Sequence, residues 1–115
     1  MTFEEMTRLM DAARGVEDFV TANLRRTGIR FDMAYMVVSI HHSGGSLAVG
    51  NVGYYGTNRS YGMAKLTELG YIETEQNSAD KRSKFVKLTK AGEALAKKFL
   101  DLIAQIEPSR KMEVP

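Results

Sequence analysis

The chain has 115 residues, 43% of them apolar, with 16 Lys or Arg against 14 Asp or Glu and a net charge of +2. This length and composition predict one globular domain over 1–115 with a modest hydrophobic core. There is no cysteine, which excludes a disulfide framework, a thiol nucleophile and a cysteine–zinc site, and which fits a reducing cytoplasm.

The opening "MTFEEMTRLMDAARG" carries acids early and lacks the apolar run of a signal peptide. No uncharged apolar run approaches the roughly 18 residues of a membrane span, so no membrane partner is expected. Residues 3–27 read as one long helix, with Phe3, Met6, Met10, Ala13, Val16 or Glu17, Val20 and Leu24 recurring every three or four positions. Gly28 follows as a C-cap region after Arg25 and Arg26, whose charges suit a helix C-terminus.

Asp32 is a candidate N-cap for a second helix over 33–42, with Met33, Met36, Val37 and Ile40 on its apolar face. Gly44 and Gly45 stop it. Ser46 and Leu47 allow a short strand or a cap, and 48–52 allow a short third helix weakened by Gly50. Thr57 or Asn58 caps a fourth helix ending at Gly70. Residues 71–76 and 84–89 alternate as strands of a β-hairpin, with Val86 and Leu88 on one face and Phe85 and Lys87 on the other. Thr89 caps a last helix over 90–107, striped by Leu95, Phe99, Leu102, Ile103 and Ile106. Pro108 stops it, and 108–115 form a tail.

Helices followed by a hairpin and a last helix give a mainly α fold with a small β-hairpin wing. Over about 32–89 this is the order of a winged helix-turn-helix.

The glycines of "NVGYYGTNRSYGMAKLTELGYIE" invite a phosphate-loop reading. A Walker loop needs G-x-x-x-x-G-K-[ST], and a dinucleotide fingerprint needs G-x-G-x-x-G after a buried strand. Gly50, Gly53 and Gly56 match neither, and no other enzymatic constellation is present. The adjacent His41 and His42 face different directions on a helix, which is poor metal spacing, so neither metal nor cofactor is expected. A turn with close helix packing explains the glycines better.

On a helical wheel of the fourth helix, Gly62, Met63, Leu66, Leu69 and Gly70 gather on a core side. Thr57, Ser60, Tyr61, Ala64 and Glu68 lie opposite, with Asn58 and Lys65 on the flank. That polar face fits an incidental surface or one that reads base edges, since Asn, Ser, Tyr and Lys all have partners in the major groove. Charge is uneven along the chain. Residues 54–90 hold Arg59, Lys65, Lys81, Arg82, Lys84, Lys87 and Lys90 against Glu68, Glu73, Glu75 and Asp80. Lys81, Arg82 and Lys84 crowd the hairpin tip, from which a wing can reach the DNA backbone or minor groove. Asp80 suits a supporting role there, bonded to turn amides or to a neighbouring Arg.

Residues 56–95 resemble the DNA-binding segment of MarR-type winged-helix transcription regulators. The resemblance rests on L-x-x-x-G-Y-I (Leu66 to Ile72), the wing sequence Asp80-Lys81-Arg82, V-x-L-T (Val86 to Thr89), and Gly92 with Leu95 opening the last helix. It implies a homodimer built through the N- and C-terminal helices, a recognition helix in the major groove and a wing arginine at the minor groove. Arg82 matches that arginine and Asp80 its supporting acid. Asn58, Ser60, Tyr61 and Lys65 match groove-facing positions. Arg59 stands where the family commonly has a small apolar residue.

The end helices also argue for a dimer on their own, because their apolar stripes need burial and two-fold dimers are the commonest oligomers. Phe3, Met6, Met10, Phe99, Leu102, Ile103 and Ile106 are the candidate interface; packing on their own core is the other outcome. Tyr35, Met33 and Met36 are either core or the lining of a small effector pocket.

The expected function is a cytoplasmic, nucleoid-associated repressor that binds a pseudo-palindromic duplex as a homodimer. Thr57, Asn58, Arg59, Ser60, Tyr61 and Lys65 would contact DNA from the recognition helix, and Lys81, Arg82 and Lys84 from the wing. The alternative is a winged-helix module that binds protein and no DNA.

Overall fold

The computed structural model describes residues 1–56, 58–76 and 84–106. Thr57, Asp80, Lys81, Arg82 and the tail 108–115 lie outside the described residues.

Helix α1 (Phe3–Asn23) opens with a capping box. The Glu5 amide donates to Thr2 Oγ1 at 3.1 Å, and the Thr2 amide donates to the Glu5 carboxylate at 3.2 Å. Two donors that a helix start leaves unpaired are thereby satisfied. The α-helix is shorter than the expected 3–27, because a 3₁₀ turn, Arg25–Thr27, closes it before Gly28. Its inward face follows the expected stripe only in the second half, at Val16, Val20 and Leu24. Leu9, Ala12, Val16 and Phe19 are half-buried and Val20 is buried, while Phe3 and Met10 are 72% and 54% exposed. Three-and-four spacing is met by both of these neighbouring stripes, and periodicity alone does not choose between them.

The chain divides into two compact units, one containing Met1–Phe31 with the end of the last helix from Asp101, the other spanning Asp32–Leu100. In the first, Val20, Leu24, Ile29 and Leu102 are buried.

The second unit begins in α2 (Phe31–His42). Asp32, expected outside this helix as its N-cap, lies inside the first turn because the helix starts at Phe31. It is 7% exposed, and its carboxylate accepts from the Met33 amide at 2.8 Å. An acid in the first turn still complements the helix dipole. Of the two outcomes open to Ser46 and Leu47 the strand forms, β1 (Ser46–Ala48), and the third helix expected over 48–52 is only a 3₁₀ turn, Val49–Asn51. The reason is tertiary. Leu47 pairs with Val86 and the Leu88 amide donates to Gly45 O at 3.0 Å, so sheet pairing overrides a weak local helix preference.

After α3 (Arg59–Glu68) come β2 (Ile72–Gln76) and β3 (Lys84–Leu88), both within a residue of expectation. The sheet is antiparallel in the order β1-β3-β2, so the hairpin is joined by a third strand and β3 is central. Helix α4 (Lys90–Ala104) follows. Thr89 caps it as expected: its hydroxyl accepts from the Gly92 amide at 3.1 Å and donates to Gly70 O at 2.6 Å.

The core of this unit joins Met36, Val37 and Ile40 of α2 with Val52, Leu66, Ile72, Val86, Leu95, Ala96 and Phe99, all at most 5% exposed. Each large side chain among them contributes about 1.5–3 kcal/mol by leaving water. On the outward face of the sheet, Phe85 is 38% exposed. His41, in the last turn of α2, pairs with Glu93 in the first turn of α4 at 2.8 Å, a tie between helices that the sequence did not suggest.

Candidate nucleic-acid interface

Helix α3 is positioned at both ends by hydrogen bonds that its sequence encodes. At the start, Asn58 is the N-cap: its Oδ1 accepts from the Tyr61 amide at 3.1 Å. Between the two expected caps, the observed one is therefore Asn58. At the end, the Tyr71 amide donates to Leu66 O and the Gly70 amide to Thr67 O, at 3.0 and 3.1 Å. This is a Schellman closure with Gly70 at φ 85°, a left-handed conformation that glycine takes without steric penalty. It turns the chain directly into β2.

Gly62, Met63 and Leu66 are buried, as the wheel indicated, while Ser60, Tyr61, Ala64 and Glu68 are exposed. Tyr61 is 57% exposed. Leu69 departs from the wheel at 41% exposure, because the helix ends at Glu68 and the reversal at Gly70 carries Leu69 off the core side. The exposed face thus holds hydrogen-bonding side chains around the small Ala64. Lys65 at its flank lies 3.9 Å from Glu68, a surface pair of little energetic weight.

The segment before α3 is held from two directions. The Gly53 amide donates to Ser39 Oγ of α2 at 2.8 Å. A Cβ on residue 53 would itself fall 2.8 Å from that oxygen, so a side chain there would have to displace the Ser39 hydroxyl. From the other side, Arg59 Nη1 donates to Gly50 O at 2.8 Å, and its guanidinium lies 5.4 Å from the centre of the Tyr54 ring. Tyr54 and Tyr55 are 55% and 44% exposed, and Tyr55 leans on Tyr35 at 6.0 Å between ring centres. Sequence reasoning assigned Arg59 to DNA and missed these partners. Its unusual place in the family pattern was the available signal.

Along the sheet, Lys87 lies 2.6 Å from Glu75 and 3.7 Å from Glu73, its neighbours on β2. The hydrogen bond and charge of Glu75, helped by Glu73, raise its ammonium above the ordinary lysine range. A lysine counted as basic surface is therefore committed to two carboxylates. Lys84, at the start of β3, is exposed.

A cavity of about 290 Å³ lies beside α2, lined by Tyr35, Val38, Ser39, His41, His42, Ser43 and Leu100. Met33 and Met36 are core residues, 4% and 0% exposed. Of the candidate interface residues in the end helices, Phe99 and Leu102 are buried within the chain and Ile103 and Ile106 are half-buried, whereas Phe3, Met6 and Met10 are exposed. No described helix is long and apolar enough to cross a membrane.

Residues 50–92, which carry the turn, α3, the hairpin and the start of α4, match the family model of a winged helix DNA-binding domain. No curated protein matches the chain. Among solved structures, the reduced form of MarR from E. coli is similar at a TM-score of 0.72 and 19% identity, over 91% of this chain and 78% of that one. Reduced AbfR bound to DNA is similar at 0.70 and 16% identity, over 90% and 77%. AbsC, a MarR family transcriptional regulator from Streptomyces coelicolor, is similar at 0.67 and 15% identity, over 86% and 76%. The fold is thus the winged helix seen in MarR structures.

Proposed function

We propose that this chain is a sequence-specific, double-stranded-DNA-binding transcription regulator that acts as a homodimeric repressor in the cytoplasm, on the nucleoid when bound. The observation that carries this reading is the face of α3. Its apolar side is buried, both its ends are fixed by hydrogen bonds, and Ser60, Tyr61 and Lys65 are presented outward beside Asn58. A rigid helix with a polar exposed side on a winged fold suits the major groove, where such side chains meet base edges. The winged helix DNA-binding match over 50–92 and the DNA-bound AbfR structure support it.

In this reading 32–89 is the DNA-binding core of a single winged-helix domain. Thr57 joins the α3 contacts, Lys81, Arg82 and Lys84 make the wing contact, and Asp80 steadies Arg82. The end helices carry the dimer, with Phe3, Met6 and Met10 covered by the second copy alongside the half-buried Ile103 and Ile106, while Phe99 and Leu102 are buried within the chain itself. The cavity beside α2 is the place for a small effector.

Selection of bound duplexes from a random pool tests this. Enrichment of an inverted repeat with half-sites about one helical turn apart is the expected result. An unenriched pool would favour the second reading, a winged-helix module that binds protein. That reading draws on the outward Glu73 and Glu75, which absorb Lys87 and lower the positive charge of the wing strands.

A further inference from the structure

We infer that Arg59 is a positioning residue, a clasp that fixes the start of the recognition helix against the preceding turn, and makes no phosphate contact. The inference rests on the DNA-binding reading and refines it.

Arg59 is the first residue of α3, directly after its cap Asn58. Its side chain turns back along the chain. One guanidinium nitrogen donates to Gly50 O at 2.8 Å, in the 3₁₀ turn that precedes the reversal. The Cζ atom of the same group lies 5.4 Å from the Tyr54 ring centre, inside the range of a cation–π contact. One residue therefore ties the segment before the reversal, the reversal itself and the helix after it. Arg59 is also half-buried, unlike its exposed neighbours Asn58 and Ser60. A guanidinium that swung away from the turn to reach a phosphate would lose both partners.

The opposite anchor is the Gly53 amide on Ser39 Oγ. These two ties hold Gly50 and Gly53 from opposite sides, one to the first residue of α3 and one to α2. A guanidinium can hold the ring contact and the carbonyl bond at once, because its charge is spread over a fork of several N–H donors. Lysine, a point charge on a flexible stem, supplies at most the bond.

The test compares Arg59→Gln, Arg59→Lys and the milder Tyr54→Leu with the unsubstituted protein. The probes are the duplex enriched from a random pool and a scrambled duplex of equal length, each titrated across salt. The clasp predicts that Arg59→Gln weakens binding to the enriched duplex about tenfold, a loss of the size of one base contact. Binding to the scrambled duplex and the slope of log K on log salt stay unchanged, Arg59→Lys does not rescue, and Tyr54→Leu gives a smaller loss of the same kind. Amide exchange at Gly53 and Tyr61 in the free protein becomes faster in Arg59→Gln.

A slope reduced by about 0.9, with equal losses on both duplexes and rescue by lysine, would identify a phosphate contact and overturn the proposal. If no duplex is enriched by the unsubstituted protein, the DNA-binding reading fails and exchange alone decides the clasp. Faster exchange at Gly53 and Tyr61 upholds it; unchanged exchange overturns it.

Discussion

The Gly53 amide donates a hydrogen bond to Ser39 Oγ at 2.8 Å, joining α2 to the turn that precedes α3. A methyl group on residue 53 would fall 2.8 Å from that oxygen, closer than van der Waals contact allows. Gly53→Ala should destabilise the fold by about 1–3 kcal/mol, since it overpacks the contact and displaces the hydrogen bond. Ser39→Ala should cost about 1 kcal/mol through the orphaned amide. The two changes share one contact, so their sum should exceed the double variant's loss in urea denaturation.

Gly92 predicts a sharper effect. A Cβ there would overlap the Tyr71 carbonyl oxygen, which also accepts from the Thr89 amide at 3.1 Å. The obstacle is backbone, which does not swing aside as a side chain does. Gly92→Ala should therefore cost about 3 kcal/mol or more, at the upper end of single substitutions. Gly15, inside α1 with nothing near its missing Cβ, is the control. Gly15→Ala should stabilise by about 0.5–1 kcal/mol. Thermal melts of the two variants should move in opposite directions.

Much of this fold was legible before the structure. The hairpin strands, the Thr89 cap and the buried trio Gly62, Met63 and Leu66 follow from local chemistry and period, which act over a few residues. What was not legible depends on distant partners. At Ser46 and Leu47 the sequence left strand and cap open, and the strand forms because β3 is there to pair with it. Arg59 turns back because Gly50 O and Tyr54 lie within reach. The inward stripe of α1 is chosen by packing between two candidates of equal spacing. The proposed wing contacts Lys81 and Arg82 lie outside the described residues, so the site is best defined at α3.

Asn58 separates stability from recognition. Its side-chain oxygen caps α3 by accepting from the Tyr61 amide. Asn58→Ala should cost about 1 kcal/mol in stability, whereas Asn58→Asp keeps the cap. The aspartate brings a negative charge to the end of α3 proposed to approach DNA. It should therefore leave the melting temperature near that of the unsubstituted protein while weakening duplex binding. Unaltered binding by Asn58→Asp would place that end of the helix away from the phosphates.

Met6 and Met10 probe the proposed dimer. Both are exposed in the single chain, as is Phe3 one turn earlier. Met6→Glu with Met10→Glu should leave the helical circular dichroism intact and shift sedimentation from dimer to monomer. Monomer sedimentation of the unsubstituted protein would remove α1 from the interface.

The central claim is that the exposed face of α3 reads DNA sequence. It is tested most directly by the ratio of affinities for the selected duplex and a scrambled one, measured by fluorescence anisotropy at fixed salt with Tyr61→Ala beside the unsubstituted protein. A DNA-reading face predicts a ratio on the order of 10³ or more, reduced by Tyr61→Ala. Equal affinity for both duplexes, or a ratio untouched by changes at Tyr61, Ser60 and Lys65 together, would contradict it.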